Sequence, residues 1–320
     1  MKNMLTRNPS VTPSHSVRIG SMVTLLAAAG AVQTALAGGV VRAWGEWQEG
    51  QCNVPDPAQL GACTAVAGGD QHSLALQQGG GVEAWGDNRW GQVTVPYDLG
   101  ACTAIAAGGY HSLALRQDGG VRAWGYNDFG QRNVPIDLGE CTAVAAGHLH
   151  SLAVRRDGGV RAWGDNRDGQ CIVPTDLGAC TAVAGGTWHS LALRQDGGVR
   201  AWGWNQFGQC DVPTDLGACT AVSAGGNHNL ALRQNDGSVR AWGSTDYVPT
   251  DLGACTAIAA GDRHSLAIAA DPRDSNNNGI LDSVEIAALT AQLNCGDLDG
   301  DGAVNGADLG KVLIGWGQCQ

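Results

Sequence analysis

Basic residues are scarce in this chain: 19 Lys and Arg stand against 30 Asp and Glu, a formal net charge of −11. A protein of that sign has no electrostatic attraction for a phosphate backbone, which argues against nucleic acid as a partner. Charged residues of both signs make up only 15% of the chain, where roughly 25% is usual, and there are only two Phe. The 49 glycines follow no strict three-residue period, which excludes collagen, and a 43% hydrophobic fraction excludes a disordered chain. Long apolar runs are missing as well. The one candidate, Met22 to Val32, is short of the ~20 residues that span a bilayer. Lys2, Arg7 and Arg18 precede it and Ala35, Leu36 and Ala37 follow it, the order of a secretory signal peptide. Residues 1–37 are therefore expected to be cleaved near Ala37. The mature chain, three positive charges poorer, is expected to be secreted, extracellular or at the cell surface, with no membrane span.

What the sequence has in abundance is repetition. A Trp-Gly pair recurs at Trp44, Trp85, Trp124, Trp163, Trp202 and Trp242, in steps of 41, 39, 39, 39 and 40 residues. Around it recur a "HSLAL" phrase, at His72, His111, His150, His189, His228 and His264, and a "CTAVA" phrase, at Cys63, Cys102, Cys141, Cys180, Cys219 and Cys255. Each phrase is a short alternating or apolar run bounded by glycine, and the Asp-Gly-Gly at Asp118 to Gly120 marks a hairpin turn. A unit of about 39 residues holding three or four strands is the signature of a β-propeller blade. The expected fold is all-β, a six-bladed β-propeller over residues 38–271. The segment Gly39 to Gly45 supplies only the Trp-Gly strand and Cys255 to Ala270 only the two strands before it. Pairing these N- and C-terminal strands would close the ring.

The segment "AAGGYHSLALRQDGGVRAWGYNDFGQ", Ala106 to Gln131, resembles the repeat of the regulator of chromosome condensation family. That family is usually built as seven blades, so six units is a departure. The resemblance implies a propeller. The nuclear activities of the family do not suit an acidic, exported chain, whereas similar secreted propellers serve as protein-binding modules.

An exported chain permits disulfides. Cys171 and Cys210 lie nine residues ahead of Cys180 and Cys219, and Cys52 eleven ahead of Cys63. The spacing predicts bonds Cys52–Cys63, Cys171–Cys180 and Cys210–Cys219, with Cys102, Cys141 and Cys255 as buried small hydrophobes. Histidine and tryptophan, repeated in every unit, mark packing rather than catalysis. Function belongs where units differ. The loop before each His and the loop after each Trp-Gly should share one face, which gathers Tyr110, Tyr126, Trp188 and Trp204, with Trp47 from the first loop, as candidate ligand-binding residues. Trp90, Phe129 and Phe207, just before "GQ", read as structural. The arginines beside the Asp-Gly-Gly turns read as a solvated, ion-paired rim.

From residue 272 to 320 the grammar changes, and a small α-helical, EF-hand-like domain is expected. "DSNNNGILDSVE" places Asp274, Asn276, Asn278, Asp282 and Glu285 at loop positions 1, 3, 5, 9 and 12, with Gly279 at the turn and the Ile280 carbonyl at position 7. "DLDGDGAVNGAD" does the same with Asp297, Asp299, Asp301, Asn305 and Asp308, Gly302 at the turn and the Ala303 carbonyl. Two Ca2+ sites follow, because these are hard oxygen donors at that ion's spacing. Cys295 and Cys319 flank the second loop and are expected to pair. The stretch Gly296 to Leu309 resembles a dockerin repeat, and the first loop also resembles thrombospondin type 3 calcium repeats. The dockerin resemblance implies a cohesin-like scaffold partner, although its recognition positions carry Ser283, Val284, Gly306 and Ala307 here.

Two functions compete. One is a secreted, non-enzymatic interaction propeller with a calcium-binding attachment module, recognising an extracellular protein or glycan. The other is a carbohydrate-active enzyme, a glycan hydrolase or lyase in polysaccharide breakdown. It would need two carboxylates about 5–9.5 Å apart, with Glu46, Asp87 and Asp165 as candidates.

Overall fold

The computed structural model describes residues 41–43, 48–244 and 247–269. The strands follow the repeat. The first unit gives β1 (Cys63–Gly68), β2 (His72–Gln77) and β3 (Val82–Gly86). The second gives β4 (Cys102–Ala107), β5 (His111–Arg116) and β6 (Val121–Gly125), and the third β7 (Cys141–Ala146), β8 (His150–Arg155) and β9 (Val160–Gly164). The fourth gives β10 (Cys180–Gly185), β11 (His189–Arg194) and β12 (Val199–Gly203). β13 (Cys219–Ala224), β14 (His228–Arg233) and β15 (Val239–Gly243) form the fifth, and β16 (Cys255–Ala260) with β17 (Ser265–Ala269) the sixth. These pair in sequence order into five three-stranded antiparallel sheets and one two-stranded sheet. These are the repeated antiparallel sheets of propeller blades, with almost no helix among the described residues. The one described helix, α1 (Pro57–Leu60), is capped by Asp56. It absorbs the two extra residues of the 41-residue step.

The middle strand explains why the "HSLAL" phrase repeats. Side chains alternate across a strand, so Leu113 and Leu115 of β5 face the third blade and Ala114 faces the first. Leu113 and Leu115 pack on Cys141, Ala153, Trp163 and the loop residue Leu138. Ala114 meets Leu74 and Leu76 of the preceding blade. Small residues on one face and large on the other let each sheet seat on the next. The same set recurs between the third and fourth blades, where Leu152 and Val154 meet Cys180, Ala192 and Trp202. All six phrase-initial cysteines, Cys102, Cys141 and Cys255 among them, are thus buried apolar filler.

Glycine follows each Trp for a steric reason. Gly125 has φ +99°, and a Cβ there would lie 2.7 Å from the Tyr110 carbonyl oxygen.

Two expectations change. The clasps do not form: Cys63, Cys171, Cys180, Cys210 and Cys219 are thiols. Cys171 Sγ donates to the Asp165 carbonyl, 3.1 Å away, beside the loop that follows the Trp-Gly strand. Cys180 begins β10 opposite Arg194, beside the Asp-Gly-Gly turn at the other end of the blade. The intervening Val173 and Leu177 descend the side of the blade into the core. A strand of this length covers about 17–20 Å, against the ~7 Å limit for bridged Cα atoms. Pairing of the N- and C-terminal strands is not seen among the described residues. Val41 packs on Leu60, Cys63, Ala75 and Trp85, as Val82 packs on the second blade. Yet residues 41–43 form no strand. No third strand pairs with β17 among the described residues, and Leu266 is 55% exposed where its equivalents are buried. The signal peptide, Trp44, Glu46, Trp47, the calcium loops and Cys295–Cys319 lie outside the described residues.

Candidate functional site

The recurring histidines are latches between blades. His72 Nε2 lies 3.0 Å from Ser112 Oγ, His111 3.0 Å from Ser151 and His150 2.9 Å from Ser190. Ser112 donates its only proton to the Gln92 carbonyl at 2.8 Å, so His72 must be the donor. The fourth latch confirms this polarity: His189 meets Asn229 Oδ1 at 2.7 Å while the Asn229 amide donates to the Gln209 carbonyl. The same Gln92 carbonyl accepts Trp124 Nε1 at 2.9 Å. A serine whose proton is committed to a backbone carbonyl, beside a fully buried imidazole that donates to it, is no nucleophile. Burial holds these rings neutral, with pKa values pushed down to about 4 for His72 and His189 and about 3 for His111 and His150.

The variable loops do share one face. The backbone N–H after each Trp-Gly donates to the carbonyl before the histidine: Tyr126 to Tyr110, Asp165 to Leu149, Trp204 to Trp188, each at 2.9 Å. Tyr110 and Tyr126 meet edge to face at 6.3 Å between ring centroids. Trp188 joins them through His148, whose ring lies 5.5 Å from Tyr110 and 5.7 Å from Trp188. Trp204 stands with Phe207 at 5.3 Å.

Three residues expected to be structural, or not singled out, complete this face. Trp90, 52% exposed, leans on Tyr126 at 4.8 Å, and Phe129 approaches it at 6.2 Å. Arg167 stacks over Phe129 at 4.7 Å and Trp188 at 5.6 Å. The available signal was variation: the position before "GQ" reads Trp90, Phe129, Asp168 and Phe207 in successive blades. Together Trp90, Tyr110, Tyr126, Phe129 and His148 wall a cavity of about 450 Å3, with Gln71, Arg89 and Leu149. His148 spans to Asp70, 3.1 Å away, over the intervening blade. Gly109 permits the crossing, since a Cβ there would strike the His148 ring.

Two buried carboxylates anchor the cationic rim. Burial raises the Asp87 pKa, but the hydrogen bonds and charge of Arg89 outweigh it and leave the group below the ordinary carboxylate range. Asp165 is held the same way by Arg167, at 2.9 Å from both Nε and Nη2. Neither is a proton donor at neutral pH, and they follow strands of the first and third blades. The opposite face also has a cavity of about 450 Å3, lined by Arg155, Arg156, Arg194 and Thr181. Its arginines are engaged: Arg155 with Asp157 and Arg194 with Asp196. Among the described residues no cluster of His, Cys, Asp or Glu could hold a metal. None of their helices is long and apolar enough to cross a membrane.

Residues 102–131, 141–170, 180–209 and 219–247 match the Regulator of chromosome condensation (RCC1) repeat. Four units of the chain match this repeat. The blades are similar to the ectodomain of the Physcomitrella patens receptor kinase CR4, with a TM-score of 0.58 and 24% identity. That match covers 66% of this chain and 59% of the other, so this chain spans less than two thirds of its length. Prp20p from Saccharomyces cerevisiae matches with a TM-score of 0.58 and 22% identity over 67% of this chain and 71% of that one. Prp20 bound to Kap60 gives 0.57 and 21%, over 67% and 69%. These likenesses establish the fold. A comparison with curated protein sequences finds no match.

Proposed function

We propose that this RCC1-repeat chain is a secreted, non-enzymatic interaction protein whose aromatic face binds an extracellular protein. The observation that carries the reading is the cavity walled by Trp90, Tyr110, Tyr126 and Phe129. These aromatics come from positions that differ between blades, while shared positions are spent on packing. Exposed, clustered Trp, Tyr and Arg are the residue types that dominate binding energy at protein interfaces. Prp20p is described with its binding to Gsp1p and histones, and in complex with Kap60, so the same fold serves protein recognition elsewhere. The engaged state of Asp87 and Asp165 favours binding over glycan hydrolysis.

In this proposal residues 272–320 form the attachment module. The donor set of Asp274 to Glu285 and of Asp297 to Asp308 is all oxygen at EF-hand spacing, chemistry that fits Ca2+. Calcium would order the module for docking on a cohesin-like or other cell-surface scaffold. The test is affinity capture from the extracellular fraction with the mature chain and two variants. Tyr110→Ala/Trp188→Ala is expected to lose a bound protein that the opposite-face variant Arg156→Ala retains. Equal recovery by all three would refute the reading.

A further inference from the structure

Neighbouring blades are joined in two ways, by a latch and by a set of apolar side chains. The latches run His72 to Ser112, His111 to Ser151, His150 to Ser190, His189 to Asn229 and His228 to Ser265. This series leaves one histidine and one serine over, and they stand at its opposite ends. His264, in the sixth blade, is exposed, whereas His72, His111, His150 and His189 are fully buried. Ser73, in the first blade, donates to the Gln51 carbonyl at 3.0 Å, as Ser112 does to that of Gln92. Its oxygen is therefore set to accept in the same way. Trp85 Nε1 completes the likeness, sharing the Gln51 carbonyl at 2.9 Å as Trp124 shares that of Gln92.

The apolar halves are left over at the same two places. Cys141, Ala153 and Trp163 of the third blade receive Leu113 and Leu115 from the second. Their counterparts in the first blade, Cys63, Ala75 and Trp85, cluster with Val41 and receive no such pair. The unused pair is on the sixth blade: Leu266 is 55% exposed where Leu113 and Leu152 are fully buried, and Ile268, two residues on, shares its face. An end repeat made to face water carries a polar outer surface. These ends instead keep the two halves of a blade joint. We infer that the sixth blade is a seam at which the ring closes and reopens: on closing, His264 donates to Ser73, and Leu266 and Ile268 seat on Cys63, Ala75 and Trp85. β17 then lies against residues 41–43 in the register of β5 on β6, Leu266 opposite Ala43 and Ile268 opposite Val41. No peptide bond crosses this joint, so it opens before the others. Closure sets the loop of Arg263 beside that of Gln71, a wall of the aromatic cavity, whatever that face binds.

Residue-resolved hydrogen–deuterium exchange of the mature full chain at neutral pH tests the seam. The β17 amides that face away from β16 are expected to exchange at least tenfold slower than an unstructured peptide and at least tenfold faster than the amides of β14. Ser73→Ala is expected to abolish this protection while β5 stays within twofold, which also shows that the variant is folded. Ser73→Asn is expected to restore it, because Asn229 already serves as the acceptor for His189. Unprotected β17 in the unsubstituted chain, protection equal to that of β14, or protection undiminished in Ser73→Ala would each overturn the inference. Protection that rises with protein concentration, together with a dimer in light scattering, would assign the sixth-blade face to a second copy and overturn closure within the chain.

Discussion

Acidification should dismantle the propeller well above the pH at which carboxylates protonate, because the blade latches require neutral imidazole. Histidine has a pKa of 6.5 when exposed in the unfolded chain, against about 4 for native His72 and His189 and about 3 for His111 and His150. The folded pKa is depressed for a base, so the unfolded state binds more protons between these limits. The latch contribution is intact above pH 6.5 and is lost as pH falls toward 4 and then 3. One pKa unit is worth about 1.4 kcal/mol, so at pH 5 each of these four rings costs about 2 kcal/mol. Four together approach the ~5–15 kcal/mol that holds a typical domain folded. The assay is the urea midpoint of tryptophan fluorescence at pH 7.5, 6, 5 and 4.5. A fall of about 5 kcal/mol per pH unit below pH 6, with about four protons taken up on unfolding, is expected. A midpoint at pH 5 equal to that at pH 7.5 would refute the reasoning.

Other perturbations probe other links. Ser151→Ala leaves the buried His111 donor unpartnered and should cost about 1–3 kcal/mol by urea denaturation, with the aromatic cavity unaffected. Leu152→Ala, at a fully buried position between the third and fourth blades, should cost about 2–5 kcal/mol in the same assay. Alkylation of the denatured, unreduced chain should label Cys171, Cys180, Cys210 and Cys219 as thiols, and a cross-linked Cys171–Cys180 peptide in the mass spectrum would contradict the structure. In the native chain, burial, followed by the charge of Asp165, pushes the Cys171 thiol up to about 12, so it should resist thiol reagents until unfolding. Calorimetry should find two calcium sites in the mature chain and none in Asp274→Ala/Asp297→Ala.

The blade was readable because its residues repeat. His111, Leu113, Trp124 and Gly125 recur in unit after unit, and a position held constant through every blade answers to something every blade shares. The shared face of Tyr110, Tyr126, Trp188 and Trp204 was also legible, because strand alternation fixes which loops emerge together. The disulfides were misread because sequence separation was taken for spatial separation. Nine residues can be a tight loop or a descent along the side of a blade, and Val173 and Leu177 make it the latter by packing into the core. Trp90 and Phe129 were set aside as structural because an aromatic before "GQ" looks like part of the repeat. Their role at the cavity depends on distances between neighbouring blades, which no single unit encodes. His148 escaped notice for the same reason: its partner Asp70 lies two blades away, over a glycine.

The account rests most heavily on the aromatic face as the binding surface, and hydrogen–deuterium exchange of the chain with its captured partner tests this most directly. Protection is expected at the loops carrying Arg89 to Gln92, Tyr110, Tyr126 to Phe129 and His148. Protection confined to the turns around Asp118, Asp157 and Asp196, on the opposite face, would contradict it.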